Sequence, residues 1–358
     1  MAPPALLRRV YGSAVRTPGP VARALLGAPP VNDRGVALDL QTHILLSLGR
    51  ATGRPPLDER GPEGARDEVN LLAKVLDLPP RPLYRVEDRW IEGPGDRLRL
   101  RIYVPRQAEV LPGLVYFHGG GFVVGGLESH DGALRLLAER AQAIVVAVDY
   151  RLAPEAPYPA AVDDADAAFQ WTVQHAEALG IDVRRVAVGG DSAGGNLAAA
   201  VSRRRRDAGG PHPSFQYLVY PALDLTRREA SHETFRSGFY LTAAMIDWFL
   251  ANYLTDAQQK TEPDASPLLV DDLKGLPPAF IGTAGFDPLR DEGERYAERL
   301  RAAGVEVSHR SFDALIHGFL TTGGLLDGAA RGVEELAEAL RTGLGHRVAE
   351  DAHAQQPG

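Results

Sequence analysis

The stretch Val186-Ala187-Val188-Gly189-Gly190-Asp191-Ser192-Ala193-Gly194-Gly195-Asn196-Leu197 allows fewer folds than any other part of this chain. Its β-branched apolar start predicts a strand, the cluster of small residues predicts a sharp turn, and the Ala-rich continuation predicts a helix. Gly190-Asp191-Ser192-Ala193-Gly194 fits the G-x-S-x-G elbow, a strand-to-helix turn that lifts a serine hydroxyl above the edge of a sheet. Such a serine holds a strained backbone conformation. The residues two before and two after it crowd each other, which accounts for the glycines. The pentapeptide alone arises by chance; the strand before it and the helix after it supply the context it needs.

The rest of the chain repeats the same rhythm. Strand patterns fall at 113–117, 143–148, 185–189, 215–220, 279–283 and 305–312, with helical patterns between most of them. That alternation predicts a mainly parallel sheet covered on both faces, with its site at the C-terminal strand ends, where Ser192 would stand. Two more strand patterns, 86–91 and 98–104, flank the turn Gly93-Pro94-Gly95-Asp96, and helical patterns over 36–48 and 69–76 precede them. The first 32 residues carry Arg8, Arg9, Arg16 and Arg23 but no acid, a composition that faintly suggests a transit peptide. Pro3, Pro4, Pro18 and Pro20 interrupt any long amphipathic helix there, so a partly ordered arm is expected. Residues 224–272 break the rhythm with a helical pattern over 242–254, started by Thr242 as N-cap and rich in apolar side chains that must be buried. The expected organisation is an N-terminal arm with cap helices over 1–83 and an α/β domain over 84–345. That domain holds a cap insertion at about 224–272, and a disordered tail follows over 346–358.

Composition narrows the partners. The chain is 44% hydrophobic and carries a net charge of -8, which argues against nucleic acid or an anionic membrane as partner. The run Arg203-Arg204-Arg205-Arg206 falls near the end of the helix leaving the elbow, where cations suit the helix dipole, and is expected to be a solvated terminus. There is no cysteine, so thiol nucleophiles, thiolate metal sites and disulfides are excluded together, and the cytoplasm is the default expectation. No apolar run is long enough to span a bilayer, so no stable membrane anchoring is expected. Asp163-Asp164-Ala165-Asp166 reads as the start of a helix rather than as a metal site, and no metal is expected.

A serine hydroxyl needs a base, and the base needs an orienting partner; around such an elbow the acid and then the histidine follow the serine. Of His212, His232, His309, His317 and His346, only His317 lies just past the last strand pattern, on a loop that could swing over the elbow. Asp287 directly follows the preceding strand and a short turn. Asp291 and Glu292, further on, suit the first turn of the next helix. The charge that develops on a carbonyl oxygen calls for N–H groups aimed at it, and His118-Gly119-Gly120-Gly121-Phe122 matches the HGGG-type loop that presents them. The loop has neither phosphate-loop pattern.

With these motifs, the sequence resembles the hormone-sensitive-lipase-like group of α/β-hydrolase esterases. The resemblance spans residues 111 to 320 and rests on the segments already quoted together with Asp149-Tyr150-Arg151-Leu152-Ala153-Pro154-Glu155, Asp287-Pro288-Leu289-Arg290-Asp291 and His317-Gly318-Phe319. It implies the α/β-hydrolase fold: an eight-stranded, mostly parallel sheet with helices on both faces and a helical cap. It also implies Ser192 as nucleophile, His317 as base, Asp287 as acid, and an oxyanion hole from the amides of Gly120, Gly121 and Ala193. Before Tyr84 the match is one of layout only. Arg151 and Glu155 are expected to form a supporting ion pair, and Phe122, Phe239, Tyr240 and Trp248 are candidates for the pocket wall. The implied activity is hydrolysis of short- to medium-chain carboxylic esters through an acyl-enzyme, with no cofactor and a small-molecule ester as substrate. Amides, lactones and carbamates stay open as substrates, and so does a non-catalytic receptor on the same scaffold. The resemblance also allows a homodimer, paired through an exposed final strand at 305–312.

Overall fold

The computed structural model describes residues 3–108 and 110–345. Helices α1 (Pro4–Val15), α2 (Gly19–Leu26), α3 (Leu40–Ala51) and α4 (Gly61–Leu76) come first, followed by strands β1 (Arg85–Glu92), β2 (Arg97–Val104) and β3 (Leu111–Phe117). Next come α5 (Asp131–Ala141), β4 (Ile144–Asp149), α6 (Ala160–Gln174), the short α7 (Ala176–Leu179), β5 (Ile181–Asp191), α8 (Ala193–Ala208) and β6 (Gln216–Val219). The insertion carries α9 (Ser231–Thr234) and α10 (Ala243–Tyr253), and the chain continues through β7 (Ala279–Phe286), α11 (Arg290–Ala302), β8 (Val307–Ile316) and α12 (Asp327–Gly343).

The strands form one eight-stranded sheet in the order β1-β2-β4-β3-β5-β6-β7-β8. β2 pairs antiparallel with both β1 and β4, and every pairing from β4 through β8 is parallel. β3 shows how the sequence imposes two covered faces. Val115 and Phe117 join one core with α6, α8 and α11, while Leu114 and Tyr116 join the other with α5 and α12. Because β3, β5, β7 and β8 run parallel, their C-terminal ends lie along the same edge of the sheet. Among the described residues, no helix is long and apolar enough to cross a membrane.

The N-terminal region corrects the sequence reading. Prolines start α1 and α2 instead of breaking them, because a first-turn residue has no helical N–H bond to lose. The region is also tied down: Arg8 donates to the carbonyls of Asp77 (3.1 Å) and Gly324 (3.3 Å), and Asp33 pairs with Arg290 at 2.6 Å. α3 starts at Leu40, later than its apolar pattern, since Asp39 caps it by accepting from the Thr42 amide at 2.8 Å.

Two charged features differ as well. Arg203 and Arg204 both reach Asp264 of the insertion, Arg205 pairs with Asp166 (2.7 Å), and Arg206 donates to the carbonyls of Asp272 and Lys274. The arginine run thus clamps the insertion to α8 and α6 and is not a freely solvated terminus. Arg151 and Glu155 do not pair with each other. Arg151 takes Asp164 at 2.8 Å, and Glu155 takes Arg66 of α4 at 2.6 Å, because the turn between them points the two side chains to different neighbours. The expected tail over 346–358, His346 included, lies outside the described residues.

Candidate active site

β5 ends at Asp191 and α8 begins at Ala193, leaving Ser192 alone at the corner with φ 55 and ψ -118. Its amide donates to the Val219 carbonyl (2.9 Å), and its own carbonyl accepts from Ala222 and Asn196, which fixes the corner from both sides. The corner is as crowded as its glycines suggest: a Cβ added to Gly194 would lie 1.8 Å from the Phe117 carbonyl oxygen, and one added to Gly190 would lie 2.4 Å from the Gly194 carbonyl carbon.

Three distant segments converge on this corner. His317, directly after β8, places Nε2 2.9 Å from the Ser192 hydroxyl and Nδ1 2.8 Å from the Asp287 carboxylate. Asp287, directly after β7, is fully buried, and its other oxygen accepts from the Leu289 amide at 2.8 Å. With Asp287 ionised, Nδ1–H is the donor to the carboxylate and Nε2 accepts from the serine. The rival groups are committed elsewhere. Asp291 accepts from the Ser231 amide and Arg290, His309 bonds the Thr283 hydroxyl, His232 pairs with Glu292, and His212 lies on an exposed loop.

The glycine loop after β3 is anchored by a residue that sequence reasoning left without a role. Asp191 Oδ1 accepts from the Gly119 amide (2.9 Å), the Tyr116 hydroxyl (2.8 Å) and His130 Nε2 (3.1 Å). Burial favours the neutral acid, yet His130, the Tyr116 hydroxyl and the nearby His118 together hold the Asp191 carboxyl below its usual range. The same carboxylate, against the opposing effect of burial, raises the pKa of His130. The result is a buried ion pair beneath the loop. His118 stacks on Tyr150 with ring centroids 4.2 Å apart. Burial first, and the nearby His130 second, push its pKa down to about 4, so it serves as a neutral wall. Asp191 lies inside the elbow motif, but its partners come from the end of β3 and the start of α5, so no local spacing announces them.

Among the described residues, none accepts a hydrogen bond from the amides of Gly120, Gly121 or Ala193. Gly121 adopts φ +58, and a Cβ there would meet the Phe249 ring at 2.2 Å, so the backbone itself faces the cleft. The cleft beside Ser192 has a volume of about 140 Å³. Its roof comes from Val69, Leu72 and Leu76 of α4 and from Met245, Phe249 and Leu250 of α10. Of the expected wall residues, Phe122 and Tyr240 line the cleft, but Phe239 and Trp248 do not. Phe239 packs on Phe286, 5.2 Å between centroids, and Trp248 falls one residue outside the stripe that α10 turns inward.

Missed from the sequence is a second buried pair on the cleft wall. Glu292 accepts from the Leu223 amide (2.6 Å) and faces His232 (3.0 Å), and burial pushes its pKa up to about 7. Its place in the first turn of α11 suggested only a dipole partner. The signal that would have found it, an apolar surround, appears only after folding.

Comparison with known proteins gives the arrangement its relatives. A family model described as alpha/beta hydrolase fold matches residues 114–321. Carboxylic ester hydrolase LipN of Mycobacterium tuberculosis is 43% identical over 354 residues, 94% of this chain and 93% of its own. Ethyl acetate hydrolase of Pseudomonas putida is 40% identical over 256 residues, covering 70% of this chain and 80% of its own. Among solved structures, the ester-hydrolase EH1AB1 from the metagenome of Lake Arreo, in complex with a bipyridine phosphonate derivative, superposes with a TM-score of 0.83. It is 42% identical and the match covers 85% of this chain and 98% of that one.

Proposed function

The chain belongs to the α/β-hydrolase fold family, in the branch that contains the hormone-sensitive-lipase-like esterases, and from that membership we propose that it cleaves small carboxylic esters through an acyl-enzyme on Ser192. It is a carboxylic ester hydrolase, as its relatives are. In the proposed mechanism, Ser192 Oγ bonds to the ester carbonyl carbon while its proton passes to His317 Nε2. The oxyanion so formed is held by the amides of Gly120, Gly121 and Ala193; losing one such donor typically costs about 3 kcal/mol of transition-state stabilisation. The imidazolium then gives its proton to the alcohol oxygen as the C–O bond breaks. Water, deprotonated by the same nitrogen, releases the acid and restores the serine. Asp287 holds the imidazole in the required tautomer and stabilises its charged form.

The observation that carries this reading is the unbroken hydrogen-bonded line Ser192–His317–Asp287, with bonds of 2.9 and 2.8 Å. The cleft volume of about 140 Å³ supports a short acyl group beside the serine. Turnover of p-nitrophenyl acetate and butyrate, compared with the matched p-nitroanilides, tests it. Ester hydrolysis that Ser192→Ala abolishes is the expected result. A higher kcat/KM on the anilides, or full activity in Ser192→Ala, would overturn it.

A further inference from the structure

Behind the roof lies a second cavity of about 420 Å³, three times the volume of the cleft beside Ser192. The two share a wall that includes Val69, Leu72, Tyr240 and Met245. The far side of the second cavity is made by Tyr11 of α1 and by Leu45 and Gly49 of α3, in the region where the sequence motifs of the site have no counterpart. Tyr240 stands at the partition. It is a non-glycine residue held at φ +77, and its ring lies over Gly318, next to His317, so that a Cβ on Gly318 would be 3.1 Å from Tyr240 Cε1. A residue whose backbone is held in a disfavoured conformation keeps its ring at the join of the two cavities, where it can act as a partition between them.

The chemistry of the rim narrows what could enter. Arg54 and Arg60 both pair with Glu68, at 2.9 and 3.4 Å, and Arg50 donates to the Ser47 hydroxyl at 3.0 Å. The rim keeps a net positive charge, but these cations point to protein partners at the edge, and the interior is lined mainly by aliphatic and aromatic side chains. A cavity of about 150 Å³ with such a lining suffices for benzene, so one of this size has room for a longer hydrocarbon segment. We propose that the second cavity receives the far end of an uncharged apolar chain on the ester, which extends from the cleft past Tyr240, so that the preferred substrates are esters with a chain longer than the cleft alone can hold. This rests on the ester-hydrolase reading of the cleft and adds to it the substrate class.

Gly49 provides the test. It lies inside α3 at the exposed rim of the second cavity, and a Cβ added there meets nothing within 4 Å, so a large aromatic side chain has room to fold across the cavity mouth without disturbing the helix. Two substrate series are compared below their solubility limits: ethyl esters of acids from butyric to decanoic, and acetates of alcohols from butanol to decanol. In the wild type, kcat/KM should rise with length in one series, by up to about fourfold per buried methylene. Gly49→Phe should lower the long-to-short ratio at least tenfold in that series. Gly49→Ala, which shares the gain in helix propensity but adds little volume, should change it less than twofold. The responding series tells whether the acid or the alcohol side enters. An unchanged ratio in both series for Gly49→Phe, or an equal loss in Gly49→Ala, would overturn the proposal. The short esters keep the two claims apart: no turnover of ethyl butyrate or butyl acetate counts against the ester reading, whereas an unchanged ratio counts against the second cavity alone.

Discussion

The floor of the cleft and its roof are held by different forces. On the floor, directional bonds over-determine every reacting group. Asp191 ties the glycine loop through Gly119 to Tyr116 and His130, the Tyr150 hydroxyl donates to the His118 carbonyl, and the elbow tolerates no Cβ at Gly194. The roof is apolar. Met245, Ile246, Phe249 and Leu250 of α10 and Val69, Leu72 and Leu76 of α4 close the cleft with apolar side chains, and Arg66 supplies a polar tie to the floor by donating to the Val123 and Ala153 carbonyls. Hydrogen bonds fix positions to tenths of an ångström, as proton transfer requires. Apolar contacts fix a volume and leave its shape adjustable. Chemistry should therefore depend on the floor, and substrate preference on the roof.

After the loss of Ser192 itself, the largest effect expected is at Asp287. Asp287→Asn keeps the volume but favours the wrong imidazole tautomer, and kcat should fall by about 10⁴, with the folded state intact by circular dichroism. Gly194→Ala comes next. Its Cβ would sit 1.8 Å from the Phe117 carbonyl oxygen, so the elbow must open; a stability loss of about 3 kcal/mol or more in urea unfolding should accompany the loss of activity.

A roof change should behave differently. Met245→Ala removes part of the wall shared by the two cavities, and it should shift the chain-length preference about three- to tenfold while kcat on p-nitrophenyl acetate moves less than about threefold. A kcat loss as large as that of Asp287→Asn would erase the distinction between floor and roof.

A last effect, read in stability and not in turnover, concerns Glu292 on the cleft wall. Burial raises its pKa from 4.5 to about 7, so between those values the unfolded chain has released this proton and the folded protein still holds it. Folding stability from this group therefore declines as pH rises through that window and is not regained above it. A glutamine at this position carries no such proton, and its amide oxygen can still accept from the Leu223 amide. Glu292→Gln should gain on the wild type by about 1–3 kcal/mol between pH 5 and 8, read from urea midpoints. A constant difference across that range would contradict the assignment.

Much of the floor is readable along the chain because its constraints are local. Strand alternation, the glycines around Ser192 and the position of His317 just past β8 are each visible within a few residues. Asp287 is separable from Asp291 because one follows the strand and the other sits in the helix. What escapes such reading depends on meetings between distant segments. The partners of Asp191 come from two other elements, and Arg151 and Glu155, close in sequence, find Asp164 and Arg66 instead of each other. The roof escapes for another reason. α10 carries apolar residues on several sides, so periodicity gives no phase to choose Phe249 over its neighbour Trp248. At the N-terminus, prolines that look like breakers by number are helix starters by position.

The chemistry of the cleft depends on Ser192 being the nucleophile. Treatment with diethyl p-nitrophenyl phosphate, followed by intact mass and peptide mapping, tests this directly. One diethylphosphoryl group per chain, carried by Ser192 and formed in step with the loss of esterase activity, is the expected result. Loss of activity with the adduct on another residue, or ester hydrolysis that persists after Ser192 is fully modified, would contradict it.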